Sequence, residues 1–250
     1  IYTDTGNFGG SLLLQTKVAL ETAMHCLLNA SVKDNIRYIE IRISPMNYCQ
    51  EGLSASDVMN ILLETSARFI QEHPSITVNF VIIATRSKEM EVMRENINTA
   101  IAFSKDTSFF KEERRHDAIR VPRVCGVDLA GKEEGFNPSQ FKDLFEPLHR
   151  YFIKITIHAG ETEGSHNIWE ALYLLHANRI GHGLKLYQDE NMMEYLRDFH
   201  ISLEMCPTSN RRICRYRDFS DTHRNSPENA PDAVYPLHRY LKEGVAVTIN

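Results

Sequence analysis

Strands and helices alternate in strict chain order, which predicts an α/β fold on a parallel sheet; of the two architectures that satisfy this, we expect a (β/α)8 TIM-type barrel rather than a doubly wound sheet. Three observations carry the expectation. Seven short runs of alternating apolar residues are separated by stretches with helical spacing, the pattern of right-handed βαβ units. Polar residues able to do chemistry stand at the ends of many different strands, as a barrel site requires. The chain also opens just past where a first strand would lie and stops inside a strand-like run, Val245–Asn250. The barrel is therefore expected to be incomplete at both ends, as a single domain over residues 1–250 excerpted from a longer polypeptide.

Taken in order, residues 11–30 carry apolar positions at helical spacing, and Arg37–Ile43 alternates as a strand does. Asp57–Gln71 reads as a helix with Ser56 as its N-cap. Thr77–Ala84 is the next strand and Lys88–Phe103 the next helix, followed by a charged, weakly patterned connection over Ser104–Arg123. Val124–Ala130 is a strand and Ser139–Arg150 a helix. The β-branched run Ile153–His158 makes the central strand, with a helix over 165–177 after it. Arg179–Gly183 is a short strand with its turn, Asp189–Phe199 a helix and Ile201–Cys206 a strand. A long polar stretch runs to about residue 233, then Tyr235–Lys242 is helical and Val245–Ile249 is the last strand.

Bulk composition excludes several classes. With 28 basic and 33 acidic residues the net charge is −5, which supplies no global field for polymeric nucleic acid or an anionic membrane. The five cysteines are scattered and form no Cys-x-x-Cys, so a disulfide framework or cysteine zinc finger is not expected and a reducing cytoplasm is. No apolar run approaches the length of a membrane span. Gly-x-Ser-x-Gly and the glycine patterns of dinucleotide and P-loop sites are absent.

Chemistry-bearing candidates gather at the strand ends: Arg42 to Ser44, Asp128 with Gly131, His158 with Glu161, His182, and Glu204 with Cys206. The small residues between His158 and Glu161 would let a substrate approach the backbone closely. An imidazole beside a carboxylate is the pairing that metal-assisted hydrolysis uses, the imidazole holding a metal and the carboxyl moving a proton. Asp128 could act on substrate or simply hold the loop to Gly131. Glu204 reads as a buried carboxylate paired with Arg42 or another arginine, and Cys206 as a small buried hydrophobe.

HAGE at 158–161, RIGHG at 179–183, GVDLAG at 126–131 and SLEMCPTSN at 202–210, in this order, resemble the adenosine deaminase family, and YIEIRISP at 38–45 and VTIN at 247–250 agree with it. The resemblance covers essentially the whole chain. It implies a (β/α)8 barrel with one Zn2+ per active site, whose bound water attacks C6 of adenine and releases ammonia. It further implies that His158 is a zinc ligand, that Glu161 gives a proton to ring N1, and that His182 orients and deprotonates the water. Gly131 would face the purine with its backbone, where a side chain would block the approach.

The departures are equally specific. The family's first ligands form a His-x-His pair, which occurs nowhere in this chain, and its aspartate pair would follow Asn250. The chain thus holds a single expected metal ligand and should bind zinc poorly by itself. Arg211, Arg212, Arg215, Arg217 and Arg224 crowd the stretch after Asn210; they form either a solvated face or a phosphate-recognition loop, for which guanidinium forks are suited. The expected activity is zinc-dependent deamination of adenosine to inosine. The alternatives are deamination of an adenine nucleotide, AMP or ATP, by a barrel fused to a regulatory domain, and a non-catalytic family member that binds purine or a partner. The expected partner is a small-molecule purine nucleoside or nucleotide; a homo-oligomer or a fused regulatory domain stays open.

Overall fold

In the computed structural model the described residues are 10–86, 88–105, 121–214 and 235–250. They form seven strands that follow one another in chain order, β1 (Tyr38–Ile43), β2 (Thr77–Thr85), β3 (Arg123–Ala130), β4 (Lys154–Ala159), β5 (Arg179–His182), β6 (Ser202–Met205) and β7 (Val247–Ile249). The pairings β1–β2, β4–β5, β5–β6 and β6–β7 are all parallel. Parallel neighbours in chain order, with helices between them, are the repeating unit of the (β/α)8 barrel. The residues fall into two compact units: 1–128 with 148–153, and 129–147 with 154–250.

In the first unit α1 (Lys17–Lys33), α2 (Ala55–Glu72) and α3 (Met90–Lys105) accompany β1 and β2. Val78, Phe80, Val81 and Ile82 of β2 are fully buried, as are Val58 and Met59 of α2 and Met93 of α3. A strand buried at consecutive positions is covered on both faces, the usual state of a parallel strand. The cap of α2 differs from the sequence expectation. Ser54, not Ser56, is the N-cap: its hydroxyl accepts from the Asp57 N–H at 3.1 Å, and the Asp57 carboxylate accepts from the Ser54 N–H at 2.9 Å. The reciprocal pair needs an acidic side chain three residues on, which Ser54 has and Ser56 lacks. α1 likewise starts later than expected, at Lys17 with Thr16 as its N-cap, and Gly10–Leu13 closes as a separate 3-10 turn.

In the second unit α5 (Ser165–Tyr173), α6 (Glu190–Asp198), α7 (Pro207–Cys214) and α8 (Leu237–Lys242) accompany β4 to β7, while α4 (Lys142–Arg150) contributes residues to both units. The register brings His158 opposite Gly181, Gly181 opposite Glu204, and Glu204 opposite Thr248. In a parallel sheet such partners project to one face, so the register gathers polar side chains from successive strands. α7 was not expected: the polar segment after Cys206 is helical through Cys214, where proline at the first position starts a helix without losing a needed N–H. The expected connection over Ser104–Arg123 and the polar stretch to residue 233 lie mostly outside the described residues. No helix among the described residues is long and apolar enough to cross a membrane.

Candidate active site

Unit two brings His158, Glu161 and His182 together. His158 sits on β4 one residue before its end, and His182 ends β5. Their rings meet edge to face, with centroids 4.9 Å apart. This approach depends on Gly181: a Cβ there would stand 3.0 Å from His158 Nδ1 and 3.2 Å from its Cα. Glu161 Oε2 lies 3.5 Å from His182 Nε2, an ion-pair distance that is longer than a well-formed hydrogen bond.

A third side chain ties the two together. Asn210, on α7 and fully buried, places its amide nitrogen 2.8 Å from His182 Nδ1 and donates to Glu161 Oε1 at 3.1 Å. Its amide oxygen accepts from the Tyr235 hydroxyl at 3.1 Å. An amide nitrogen only donates, so in this arrangement His182 Nδ1 is the acceptor and the neutral ring carries its proton on Nε2, the nitrogen facing Glu161.

The turns that carry these residues are held by buried polar groups. After β4, the Glu133 carboxylate accepts from the backbone N–H of Gly160 (2.6 Å), Glu161 (2.9 Å), Thr162 (2.8 Å) and Glu163 (3.2 Å), and from the Asn167 amide (3.1 Å). Burial pushes its pKa up, but the N–H groups of Thr162 and Glu163, the Asn167 amide and the Gly160 N–H outweigh it, leaving Glu133 below the ordinary glutamate range. After β5, the Tyr240 hydroxyl lies 2.9 Å from the carbonyl oxygens of both Gly183 and Leu184 and accepts from the Tyr187 N–H at 3.1 Å.

The other expected residues are placed as follows. Gly131 follows β3 with φ +96°, a conformation that strains any residue with a Cβ. Asp128 belongs to the first unit, where it is fully buried and accepts from Arg42 at 2.8 Å. Glu204 meets Arg179, whose Nε is 3.2 Å away, and Thr156 Oγ1 donates to its second carboxylate oxygen at 2.8 Å. Arg211 and Arg212 lie on α7 directly after Asn210; Arg215, Arg217 and Arg224 fall outside the described residues. At Gly160 a Cβ would meet Ile168 Cδ1 at 2.6 Å, so the glycine also admits a core side chain. One expectation is corrected: Cys206 is only half-buried, its thiol 3.7 Å from the Glu204 carbonyl.

A neutral imidazole is a metal donor. His158 has the right donor chemistry, but among the described residues no group of three or more histidine, cysteine or acidic side chains converges to hold an ion. The metal centre that the motifs imply is not completed by these residues.

Parallel β/α units with a histidine–carboxylate cluster at adjacent strand ends define a barrel-type scaffold that gathers polar groups at its strand ends. The adenosine deaminase family model matches residues 9–250, and the chain belongs to that family. It is 33% identical over 227 residues to an adenosine deaminase of Clostridium acetobutylicum, spanning 90% of this chain and 58% of that protein. The chain thus spans little more than half the length of this relative. Among solved structures it resembles an adenine deaminase from Arthrobacter aurescens (TM-score 0.74, 21% identity, 96% of this chain and 64% of that one). A zinc-bound amidohydrolase from Burkhoderia ambifaria gives TM-score 0.71 at 16% identity, over 95% and 58% of the two chains. The N6-methyl-AMP deaminase of Arabidopsis thaliana gives TM-score 0.70 at 19% identity, over 94% and 62%. These likenesses establish the incomplete (β/α)8 barrel.

Three residues of the cluster escaped the sequence reading. Glu133 stands two positions after the GVDLAG motif and Asn210 ends SLEMCPTSN, so proximity to a motif was the available signal. Nothing in the sequence marks Tyr235.

Proposed function

We propose that the protein carrying this chain is a metal-dependent aminohydrolase that replaces the 6-amino group of an adenine-bearing substrate with oxygen, adenosine giving inosine and ammonia. The observation that carries this reading is the meeting of Glu161 and His182 around the Asn210 amide, beside His158. The metal would be zinc, one per site, with His158 as one ligand and the remaining ligands contributed by sequence beyond these residues. Zinc, when bound, supplies positive charge that makes water acidic near neutral pH.

The roles of this chain's own groups follow from their chemistry. Glu161 gives a proton to the purine ring nitrogen, which drains electron density from C6. His182, with its proton on Nε2, orients the attacking water by donating to its oxygen rather than by taking its proton. Gly131 leaves room for the ring against the backbone. The test uses the full-length protein: ammonia release from adenosine should require zinc and should fall by about 100-fold or more in Glu161→Gln, the range for loss of a general acid. Retained turnover in that variant would overturn the assignment of Glu161.

A second reading, an adenine nucleotide as substrate, is favoured by one observation: Arg211 and Arg212 adjoin Asn210 on α7, and guanidinium groups suit phosphate oxygens. The nucleotide deaminase among the structural relatives is compatible with it. Comparing adenosine with AMP and ATP decides between the readings. A preference for adenosine that is unchanged in the Arg211→Ala, Arg212→Ala double variant removes the phosphate role.

A further inference from the structure

The Glu133 carboxylate is enclosed by the turn that carries Glu161. It is 3% exposed, and four consecutive backbone N–H groups, those of residues 160 to 163, converge on it. The Thr162 hydroxyl at 3.3 Å and the Asn167 amide at 3.1 Å complete the ring of donors. Its Oε1 takes the Gly160 N–H and the Asn167 amide, and its Oε2 takes the N–H groups of Glu161, Thr162 and Glu163. A concave row of amides of this kind is an anion nest. Here the anion is supplied by the chain itself.

We propose that Glu133 is a positioning residue for Glu161: by capturing the N–H groups on both sides of that residue, it fixes the backbone from which the proton-donating carboxyl projects toward His182 and Asn210. The inference rests on the deaminase reading and deepens it. Both ends of Glu161 are then held. Its main chain is bound to Glu133 at 2.9 Å and its side chain to Asn210 at 3.1 Å, leaving few rotamers between them. Placement within a fraction of an ångström decides proton-transfer rates, so the anchor acts on turnover more than on substrate capture. Neutral glutamine is close in shape but offers one acceptor oxygen and turns an NH2 group on a row of donors.

The test compares wild type, Glu133→Gln and Glu133→Asp in the full-length, zinc-loaded protein. Hydrogen exchange of the segment 160–163 is measured alongside kcat and KM for adenosine. In Glu133→Gln we expect the 160–163 amides to exchange at least about tenfold faster, with β4 and α5 unchanged. kcat should fall by about 10- to 100-fold with KM within about twofold, and Glu133→Asp should recover part of both losses. Unchanged exchange at 160–163, or a rise in KM at constant kcat, overturns the proposal. If Glu133→Gln does not fold, Glu133→Asp decides by the same two readouts. A wild-type protein inert toward adenosine would overturn the functional reading alone, because exchange still reports whether Glu133 holds the turn.

Discussion

The Asn210 amide nitrogen stands 2.8 Å from His182 Nδ1, and this one contact dictates which nitrogen of the imidazole faces the site with a proton. The same amide nitrogen donates to Glu161, and a flipped amide would turn its oxygen on that carboxylate and lose the bond. Asn210→Asp replaces the donor with a carboxylate, which favours Nδ1–H on His182 and sets like charge beside Glu161. We expect kcat of the full-length protein to drop by about 10- to 100-fold, the usual scale for removing a partner of a catalytic or metal-binding histidine. ¹⁵N spectra of histidine-labelled protein should show His182 moving from the Nε2–H to the Nδ1–H form. An unchanged tautomer would mean that another group sets it.

Much of this arrangement is legible in the sequence. The strand order, and His158, Glu161 and His182 at strand ends, follow from period-two runs that stop at polar residues. Their clustering could not be read from spacing, since it depends on a parallel register that sets His158 opposite Gly181. For Glu133 and Asn210 the sequence offers only nearness to a motif. A carboxylate after a lysine and an asparagine after a serine look like ordinary loop residues, and only tertiary contact shows that each is buried among specific donors or acceptors. The N-cap of α2 failed on a detail of chemistry: two serines competed, and the acidic partner at the third position chose Ser54.

Gly181 is the next place where a small change should be felt. A methyl group there would press on His158 at both its Nδ1 and its Cα, and the backbone atom has no rotamer to escape into. Gly181→Ala should therefore displace β4 against β5 and cost about 1–3 kcal/mol. Activity should fall further than that loss alone explains, because the displaced residue is His158. Thermal unfolding and turnover measured on the same preparation check this; an alanine that leaves both unchanged would show that the strands yield easily.

Cys214 offers a chemical probe of the site's surroundings. Its thiol is pushed up to about 11, first by burial and then by the charge of Glu161, with Lys185 opposing; the thiol also donates to the Glu161 carbonyl at 3.4 Å. At pH 8 its thiolate fraction should be on the order of 100-fold below that of an unperturbed thiol. Mass-mapped alkylation by iodoacetamide should leave Cys214 far behind a free model thiol. Alkylation of Cys214 at the model rate would sink this picture.

The acid limb of stability should report Glu133. Its folded pKa lies below the ordinary glutamate value because the N–H groups of the 160–163 turn favour the ionised form against burial. A depressed folded pKa means that the unfolded chain binds the proton first as pH falls. The stabilisation is therefore complete above the unfolded glutamate pKa of about 4.3 and is lost as pH falls below it and through the lower folded value. The site turn should open in that window, and protonation also removes acceptor capacity that the surrounding donors need. Glu133→Gln is neutral throughout, so the difference in unfolding free energy between it and wild type should shrink from neutral pH toward about pH 3. A difference that stays constant over this range would show that the carboxylate's charge contributes nothing to holding the turn.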